Sequence, residues 1–318
     1  MAPRIRILSL NIGLKSDLAG LSTLIKVHKL DLVLLQEARI SDEQINQKVG
    51  HLGFTGKVNV DAENPMKPGT ALVWRSVLPV TQVSTIVPCR AQYALLESLA
   101  IVNIYAPSGS DKRSERGLFF ARDVFQTLSL NTDCFSWIMG GDFNCVLSPL
   151  YVKNGTGYNQ KRCPQLSSLI TGKHLHDVYR HMHPITKDYT FFRTSSAPSR
   201  LDRFYLSEEM LENVHSVKHV ASLSDHCGVL LDMAFENLSQ SVRKSTFDTY
   251  WKLNVRILKD EDFHQNFAAI WIKRVIQILL IGGILEPSLL SKNSALNFRS
   301  KGSAEEMTAN PSGWLILK

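Results

Sequence analysis

Six segments of this chain set a polar or acidic side chain directly after, or directly before, an apolar run. In order they are Leu8-Ser9-Leu10-Asn11, Leu32-Val33-Leu34-Leu35-Gln36-Glu37, Asn103-Ile104-Tyr105-Ala106-Pro107, Trp137-Ile138-Met139-Gly140-Gly141-Asp142-Phe143-Asn144, Ser199-Arg200-Leu201-Asp202-Arg203 and Ser224-Asp225-His226. An apolar run buried as a strand carries its last side chain to the rim of a sheet. A strand ending in Glu37 offers a ligand to a hard cation, because Mg²⁺ prefers a carboxylate plus waters. Asp142 and Asn144 lie two residues apart, on one side of the chain if it is extended, and Gly140-Gly141 permits a close turn before them. An acid and an amide aimed at one point suit the activation of water beside a phosphate. His226 carries the side chain most easily tuned to move protons near neutral pH; it needs an orienting carboxylate, and Asp202 is the candidate. Each segment alone also has a plain reading. Strands end in Asn or Glu where a chain enters solvent, Gly-Asp-x-Asn is turn chemistry, and a Tyr before Ala-Pro closes a strand.

Bringing such residues together requires strands, and short apolar runs bounded by turn residues predict them at 5–11, 32–36, 70–74, 99–105, 137–142, 189–192, 201–206 and 229–233. Amphipathic periodicity predicts helices over 18–28, 42–49, 113–130 and 164–171. Strands and helices mixed in this way predict an α/β fold of two packed sheets covered by helices. With 318 residues, 44% hydrophobic and 20% charged, the chain is long enough for a substantial core. The net charge of +7 is unevenly placed: residues 240–318 hold 11 Lys+Arg against 7 Asp+Glu, which leaves 25 against 22 for residues 1–239. Charge therefore does not by itself identify a nucleic-acid partner. Cys89, Cys134, Cys145, Cys163 and Cys227 are odd in number and contain no CxxC pair, which argues against a disulfide framework and a zinc site and for a reducing compartment. The start lacks an apolar signal core and the stretch 275–285 is too short to span a bilayer, so a soluble intracellular protein with no membrane partner is expected. After about Glu236 the pattern changes to a polar, helix-like stretch and then to a tail punctuated by Gly, Pro and Ser, expected to be partly disordered.

The ordered set of Asn11, Gln36-Glu37, Asn103-Ile104-Tyr105-Ala106-Pro107, Gly140-Gly141-Asp142-Phe143-Asn144, Ser199-Arg200-Leu201-Asp202-Arg203 and Ser224-Asp225-His226 resembles the endonuclease/exonuclease/phosphatase superfamily, related to the AP endonuclease and exonuclease III group. Three details resemble the endonuclease of LINE-type (non-LTR) retrotransposons most. They are Asp177-Val178-Tyr179-Arg180, Tyr189-Thr190-Phe191-Phe192, and Tyr250-Trp251-Lys252-Leu253-Asn254 followed by Leu258-Lys259-Asp260-Glu261-Asp262-Phe263. The last is similar to the connector between endonuclease and reverse transcriptase, which gives three parts: a catalytic domain over 1–236, a connector over 237–266 and a divergent tail over 267–318.

The resemblance implies a four-layered α/β sandwich of two mixed sheets flanked by helices. It implies Mg²⁺-dependent cleavage of phosphodiester bonds in double-stranded DNA, with Mn²⁺ as a substitute metal and with 3′-hydroxyl and 5′-phosphate products. Glu37, Asn11 and Asp225 are then expected at the metal, Asp142 and Asn144 at the attacking water, and His226, oriented by Asp202, at the phosphate. Tyr105 is expected at the phosphate or the leaving oxygen, and Thr190, Arg193 and Arg200 at the DNA. The loop 193–199 reads either as a minor-groove probe or as a solvated hairpin tip. An abasic-site endonuclease or 3′-exonuclease of base excision repair, using the same residues, is the alternative, and a DNA-binding fragment without cleavage is another. A nuclear location follows from the substrate, and no protein partner is implied.

Overall fold

In the computed structural model of the chain, residues 4–235 are described apart from 14–17, 19, 62, 65–66, 131–135, 194–195 and 223, together with a two-stranded ladder that pairs Thr308–Ala309 with Leu315–Ile316. The chain divides into two units, Met1–Thr249 and Tyr250–Lys318. The connector expected over 237–266 and the tail, that ladder excepted, lie outside the described residues.

Twelve strands of the first unit are β1 (Arg4–Asn11), β2 (Leu32–Ala38), β3 (Phe54–Asn59), β4 (Gly69–Arg75), β5 (Val80–Val87), β6 (Ala91–Leu96), β7 (Leu99–Tyr105), β8 (Ser136–Asp142), β9 (Leu175–Asp177), β10 (Asp202–Ser207), β11 (Val214–Val220) and β12 (Gly228–Ala234). They form two six-stranded sheets, in the orders β11-β12-β1-β2-β4-β3 and β5-β6-β7-β8-β10-β9. Both sheets are mixed: β1 runs parallel to β2 and β7 parallel to β8, while the other pairs are antiparallel.

Near-continuous apolar runs in the central strands have a direct cause. Alternate side chains of a strand point to opposite faces, and here both faces are covered. Ile5, Ile7, Leu32, Leu34 and Leu72 of the first sheet meet Leu99, Ile101, Ile138, Phe204 and Leu206 of the second in a shared core. Their neighbours Leu8, Leu10, Val33, Leu35 and Ala71 turn outward onto Ile25 of helix α1 (Leu21–His28) and Ile45 of α2 (Asp42–Val49). On the far side Ala100, Val102, Ile104 and Met139 pack against Phe119 and Phe120 and against Leu166 and Leu169. The first two of those belong to the helical run made of α3 (Arg113–Leu118), a π-helical segment Phe119–Val124 and α4 (Phe125–Leu130), and the last two to α6 (Pro164–Gly172), which follows the short α5 (Tyr158–Lys161). The result is the expected four-layered sandwich. Helix α2 shows how local sequence fixes an element: Ser41 accepts from the Gln44 backbone N–H at 3.1 Å, and the Gln44 side chain accepts from the Ser41 N–H at 2.9 Å, which closes a capping box.

Three expectations change. The Gly140-Gly141 pair lies inside β8 and makes no turn. A Cβ on Gly140 would stand 2.3 Å from Phe204 and 2.7 Å from Leu34, and one on Gly141, whose φ is +145°, would stand 2.0 Å from the Ile104 carbonyl oxygen. Glycine is required because the sheets and the neighbouring strand close in on the backbone there. The strand expected over 189–192 is reduced to bridges from Phe191 to Ser199 and His226. Finally, β3, β5, β6, β9 and β11 add strands that the periodicity does not announce.

Candidate active site

Topology brings the six segments to one edge. In the two parallel pairs the chain ends its strands on the same side, with Asn11 beside Gln36 and Tyr105 beside Asp142. The antiparallel neighbours begin on that side: Asp202 opens β10 opposite Asp142, and His226 stands two residues before β12. The two sheets meet here through side chains. The Asn11 amide of the first sheet donates to Asp142 Oδ2 of the second at 2.9 Å, and the Gln36 amide donates to Asn103 Oδ1 at 2.8 Å. Asn103 in turn donates to the Leu35 and Ala71 carbonyls, both at 2.9 Å, so these buried amides fasten sheet to sheet.

Glu37 does not simply end its strand. It sits at a register shift between Gln36 and Ala38, with φ 57°. A bulge of this kind re-aims a side chain. The re-aimed carboxylate accepts from the Asn11 amide at 3.2 Å and from the Tyr105 hydroxyl at 3.1 Å, both on Oε1. Asn11 thus spaces two carboxylates with its amide nitrogen, while its oxygen takes the Gly13 N–H at 2.9 Å. Ser224 donates to the Asn11 carbonyl at 2.7 Å and so ties the segment before β12 to the end of β1. Asp225 is exposed, with Oδ1 3.8 Å from the place where a Cβ on Gly13 would lie.

Asn144 reaches Asp142 by a fold-back, with φ 48°, rather than along an extended chain. Its backbone N–H donates to Asp142 Oδ1 at 2.9 Å and its amide to Oδ2 at 3.2 Å and to the Ala106 carbonyl at 2.9 Å. His226 is held on the other side: Nδ1 is 2.9 Å from Asp202 Oδ2, and Nε2 is 3.9 Å from Asp142 Oδ2. Burial pushes the Asp142 carboxyl up, to about 6, and the neighbouring Asp202 charge adds to this while His226 opposes it. Burial works against a charged His226, yet the carboxylates of Asp202 and Asp142 outweigh it and raise the imidazole to about 10. Tyr105 is held above its ordinary range by burial and by the Glu37 charge, so it keeps its proton. The arrangement can take a proton at Asp142 and offer positive charge at His226 and a hydroxyl proton at Tyr105 within one cleft.

The model of the Endonuclease/Exonuclease/phosphatase family matches residues 8–226. The chain belongs to that family. It is accordingly a hydrolytic enzyme, and its fold is similar to solved structures of the same kind. One is a 3′ phosphatase from Neisseria solved with a product DNA hairpin, at TM-score 0.63 and 19% identity, covering 73% of this chain and 100% of that one. Another is an AP endonuclease from Leishmania major, at TM-score 0.63 and 16% identity over 73% of this chain and 88% of that one. A third is an AP endonuclease from Archaeoglobus fulgidus, at TM-score 0.63 and 17% identity over 71% and 98%.

As in this divalent-metal family generally, the site has residues that could hold a metal ion: Asp142, Asp202 and His226 each offer a ligand atom within 4.8 Å of the others. The Asp202 Oδ1 atom is buried with no hydrogen-bond partner, an acceptor available to a cation. Glu37, half-buried at the rim, suits a hard ion that keeps several waters better than the fully enclosed trio does.

Two expected DNA contacts are corrected. Arg200 is 0% exposed and is bound to Asp177 through both carboxylate oxygens, so its guanidinium lies inside the protein and not at a DNA surface. Thr190 is likewise 0% exposed, and its hydroxyl accepts from the Leu201 and Asp202 backbone N–H groups, both at 3.0 Å. It sets Asp202 in place. Arg193 is exposed and free to meet a polyanion. Two further side chains join the site that were not among its expected residues. Phe191 packs its ring 4.8 Å from that of His226, and Arg90, in the turn before β6, lays its guanidinium 4.6 Å from the Tyr105 ring.

Proposed function

We propose that this member of the endonuclease/exonuclease/phosphatase family is a Mg²⁺-dependent DNA endonuclease of retrotransposon type, which nicks double-stranded nuclear DNA and leaves a 3′-hydroxyl and a 5′-phosphate. The observation that carries the reading is the meeting of Asn11, Glu37, Tyr105, Asp142, Asn144, Asp202 and His226 at one edge of both sheets. The retrotransposon ancestry is supported by the Tyr189-Thr190-Phe191-Phe192 and Tyr250-Trp251-Lys252-Leu253-Asn254 segments.

Glu37, with Asn11 and Asp225 beside it, would hold the Mg²⁺, which when bound neutralises charge on the scissile phosphate. Asp142 takes the proton of the attacking water, and its two hydrogen bonds from Asn144 hold the carboxylate in one orientation. His226, kept charged by Asp202, stabilises the added negative charge on phosphorus. Tyr105 donates a hydrogen bond from its hydroxyl to a phosphoryl or departing oxygen while keeping its proton. The water oxygen bonds to phosphorus as its proton passes to Asp142, the bond from phosphorus to O3′ breaks, and O3′ leaves as an alkoxide that takes a proton from solvent water to become the hydroxyl. Exposed Lys and Arg side chains such as Arg193 bind phosphates without regard to sequence.

The test is cleavage of supercoiled plasmid against a duplex with one abasic site, with Mg²⁺ or with EDTA. Plasmid nicking in Mg²⁺, silence in EDTA, and nicks that a polymerase extends without processing support the proposal. Strong preference for the abasic duplex would transfer the chain to the repair reading, for which the likeness to two AP endonucleases speaks. DNA binding without cleavage would make it an inactive fragment.

A further inference from the structure

Helix α3 carries a charge where its packing face calls for an apolar side chain. Arg116 stands three and four residues before Phe119 and Phe120, so the three share one face of the helical run, and both phenylalanines are buried against the second sheet. Arg116 goes inside with them, at 2% exposure. Arginine is almost never enclosed to this degree without a counter-charge. Yet among the described residues Arg116 is in no ion pair with a carboxylate, and its Nε has no hydrogen-bond partner. An unpaired buried cation costs stability, and an apolar residue of similar volume often serves a core better. The use of Arg116 lies in what it holds.

Its Nη1 donates to the Pro107 carbonyl at 2.7 Å and to the Gly109 carbonyl at 3.2 Å. Both carbonyls belong to the loop that leaves β7 just after Tyr105. Pro107 has no N–H with which to fix that loop, and Gly109 turns a corner there with φ +96°. The guanidinium gathers the two carbonyls from the buried side. The neighbouring peptide is one on which the active site leans. Ala106 donates its N–H to the Asp142 carbonyl and accepts the Asn144 amide on its own carbonyl, both at 2.9 Å. The same Asn144 amide reaches Asp142 Oδ2 at 3.2 Å. A line of direct contacts thus runs from Arg116 through the Ala106-Pro107 backbone and Asn144 to the Asp142 carboxylate.

We propose that Arg116 is a positioning residue for phosphodiester cleavage: it sets the Ala106 carbonyl, and through it the Asn144 amide, at the place from which Asp142 is aimed. Its effect on rate rests on the nuclease reading, whereas its hold on the loop rests on the geometry alone. Without the guanidinium the Pro107 and Gly109 carbonyls lose that donor, and the loop is free to shift. Misplacement of a reacting group by about 1 Å costs on the order of a hundredfold in rate. A shift passed on through Ala106 and Asn144 arrives weakened, so kcat should fall by about tenfold. Arg116 is enclosed and meets no substrate, so KM for DNA should stay within about threefold of the wild type.

The experiment compares Arg116→Met with the wild type, as full chains, by melting temperature, by kcat and KM for plasmid nicking, and by amide hydrogen exchange read in a mass spectrometer. The expected result is a melting temperature near that of the wild type, the lowered kcat with KM kept, and faster exchange in the peptides spanning 104–110 and 142–146 while β1 and β2 exchange as before. Placed on top of Asn144→Ala, Arg116→Met should cost no further rate, because the link through which it acts is already gone. Arg116→Lys keeps the charge but not the planar fork, and should recover part of the rate; it takes the place of the Met variant if that one does not fold. Losses that multiply in the double variant, a raised KM with unchanged kcat, unaltered exchange in both peptides, or faster exchange throughout both sheets would overturn the proposal. A wild-type chain that does not nick refutes the nuclease reading, and the exchange measurement still accepts or rejects the hold of Arg116 on the loop.

Discussion

Asp177→Asn removes the carboxylate paired with Arg200, and its cost follows from how completely the pair is enclosed. The Arg200 side chain is 0% exposed and that of Asp177 9%. Nη1 reaches Oδ1 at 3.1 Å, Nη2 reaches Oδ2, and the guanidinium lies 4.0 Å from the Tyr151 ring. Tyr151 also donates its hydroxyl to Asp177 at 2.8 Å. Asparagine keeps the shape and still caps helix α7 (Val178–Met182), where Asp177 accepts the Arg180 N–H at 3.1 Å, so loss of the cap is a minor component. What remains is an uncompensated buried cation, which costs about 3–5 kcal/mol. With a urea slope of about 3 kcal/mol/M, the midpoint at neutral pH falls by about 1 M or more. The double variant Asp177→Asn/Arg200→Met recovers part of that loss, because the stranded charge is gone. DNA binding by the folded single variant stays at the wild-type level. The contrary pattern is clear: if Arg200→Met keeps its urea midpoint but binds DNA more weakly, with a log–log salt slope smaller by about 0.9, the guanidinium meets a phosphate and the interior assignment fails.

The same pair sets an acid dependence: burial works to raise Asp177, but Arg200 and the hydrogen bonds it makes outweigh this and hold the carboxyl below its ordinary value. Its contribution to stability is therefore complete above about pH 3.9 and is lost as the pH falls through the lower folded-state value, so wild type and Asp177→Asn converge in urea midpoint toward that end of the scale. Gly141→Ala must place a Cβ where the Ile104 oxygen stands 2.0 Å away at a φ of +145°; about 1–3 kcal/mol of strain and a similar overpacking cost should lower the melting temperature strongly, and an unchanged melt would show that β7 and β8 can part there. His226→Ala should lower plasmid nicking by about 10²–10⁴-fold while circular dichroism is preserved, and a rate within threefold of wild type would remove His226 from the chemistry. Arg193→Ala, at an exposed site, should leave the melt unchanged and reduce the salt slope of DNA binding by about 0.9 if the side chain neutralises one phosphate.

What the sequence discloses and what it withholds divide along physical lines. The strands ending at Asn11, Tyr105 and Asp142 are legible because each lies in the middle of a sheet, where cover on both faces demands an unbroken apolar run and the first polar residue marks the rim. Edge and outer strands carry less of that demand. β5 alternates irregularly between half-buried and exposed positions, and β11 mixes His, Ser and Lys among its valines, so neither declares itself. Type and order pick out residues that do come to one edge of the sheets, whereas their aim is a property of the backbone. Glu37 reaches Asn11 and Tyr105 only from a bulge, and Asn144 reaches Asp142 only from a left-handed residue, and no pattern of side-chain types announces either conformation.

Charge misleads most in the segment Arg200-Leu201-Asp202-Arg203. Two arginines beside a catalytic acid invite an assignment to the nucleic acid, yet both are 0% exposed. They are spent on the interior, Arg200 against Asp177 and Tyr151, Arg203 against the Cys145 carbonyl and the Phe143 ring. Arginine can be used this way because its flat cation stacks on aromatic rings and offers its donors in a fixed plane. Each guanidinium grips the far side of a segment whose near side carries chemistry: Arg203 holds Cys145, next to Asn144, and Arg200 lies between Ser199 and the Leu201-Asp202 backbone that Thr190 fixes. Cationic residues near a phosphate-cleaving centre can therefore serve it from behind, by making rigid the loops whose carboxylates and amides do face the substrate.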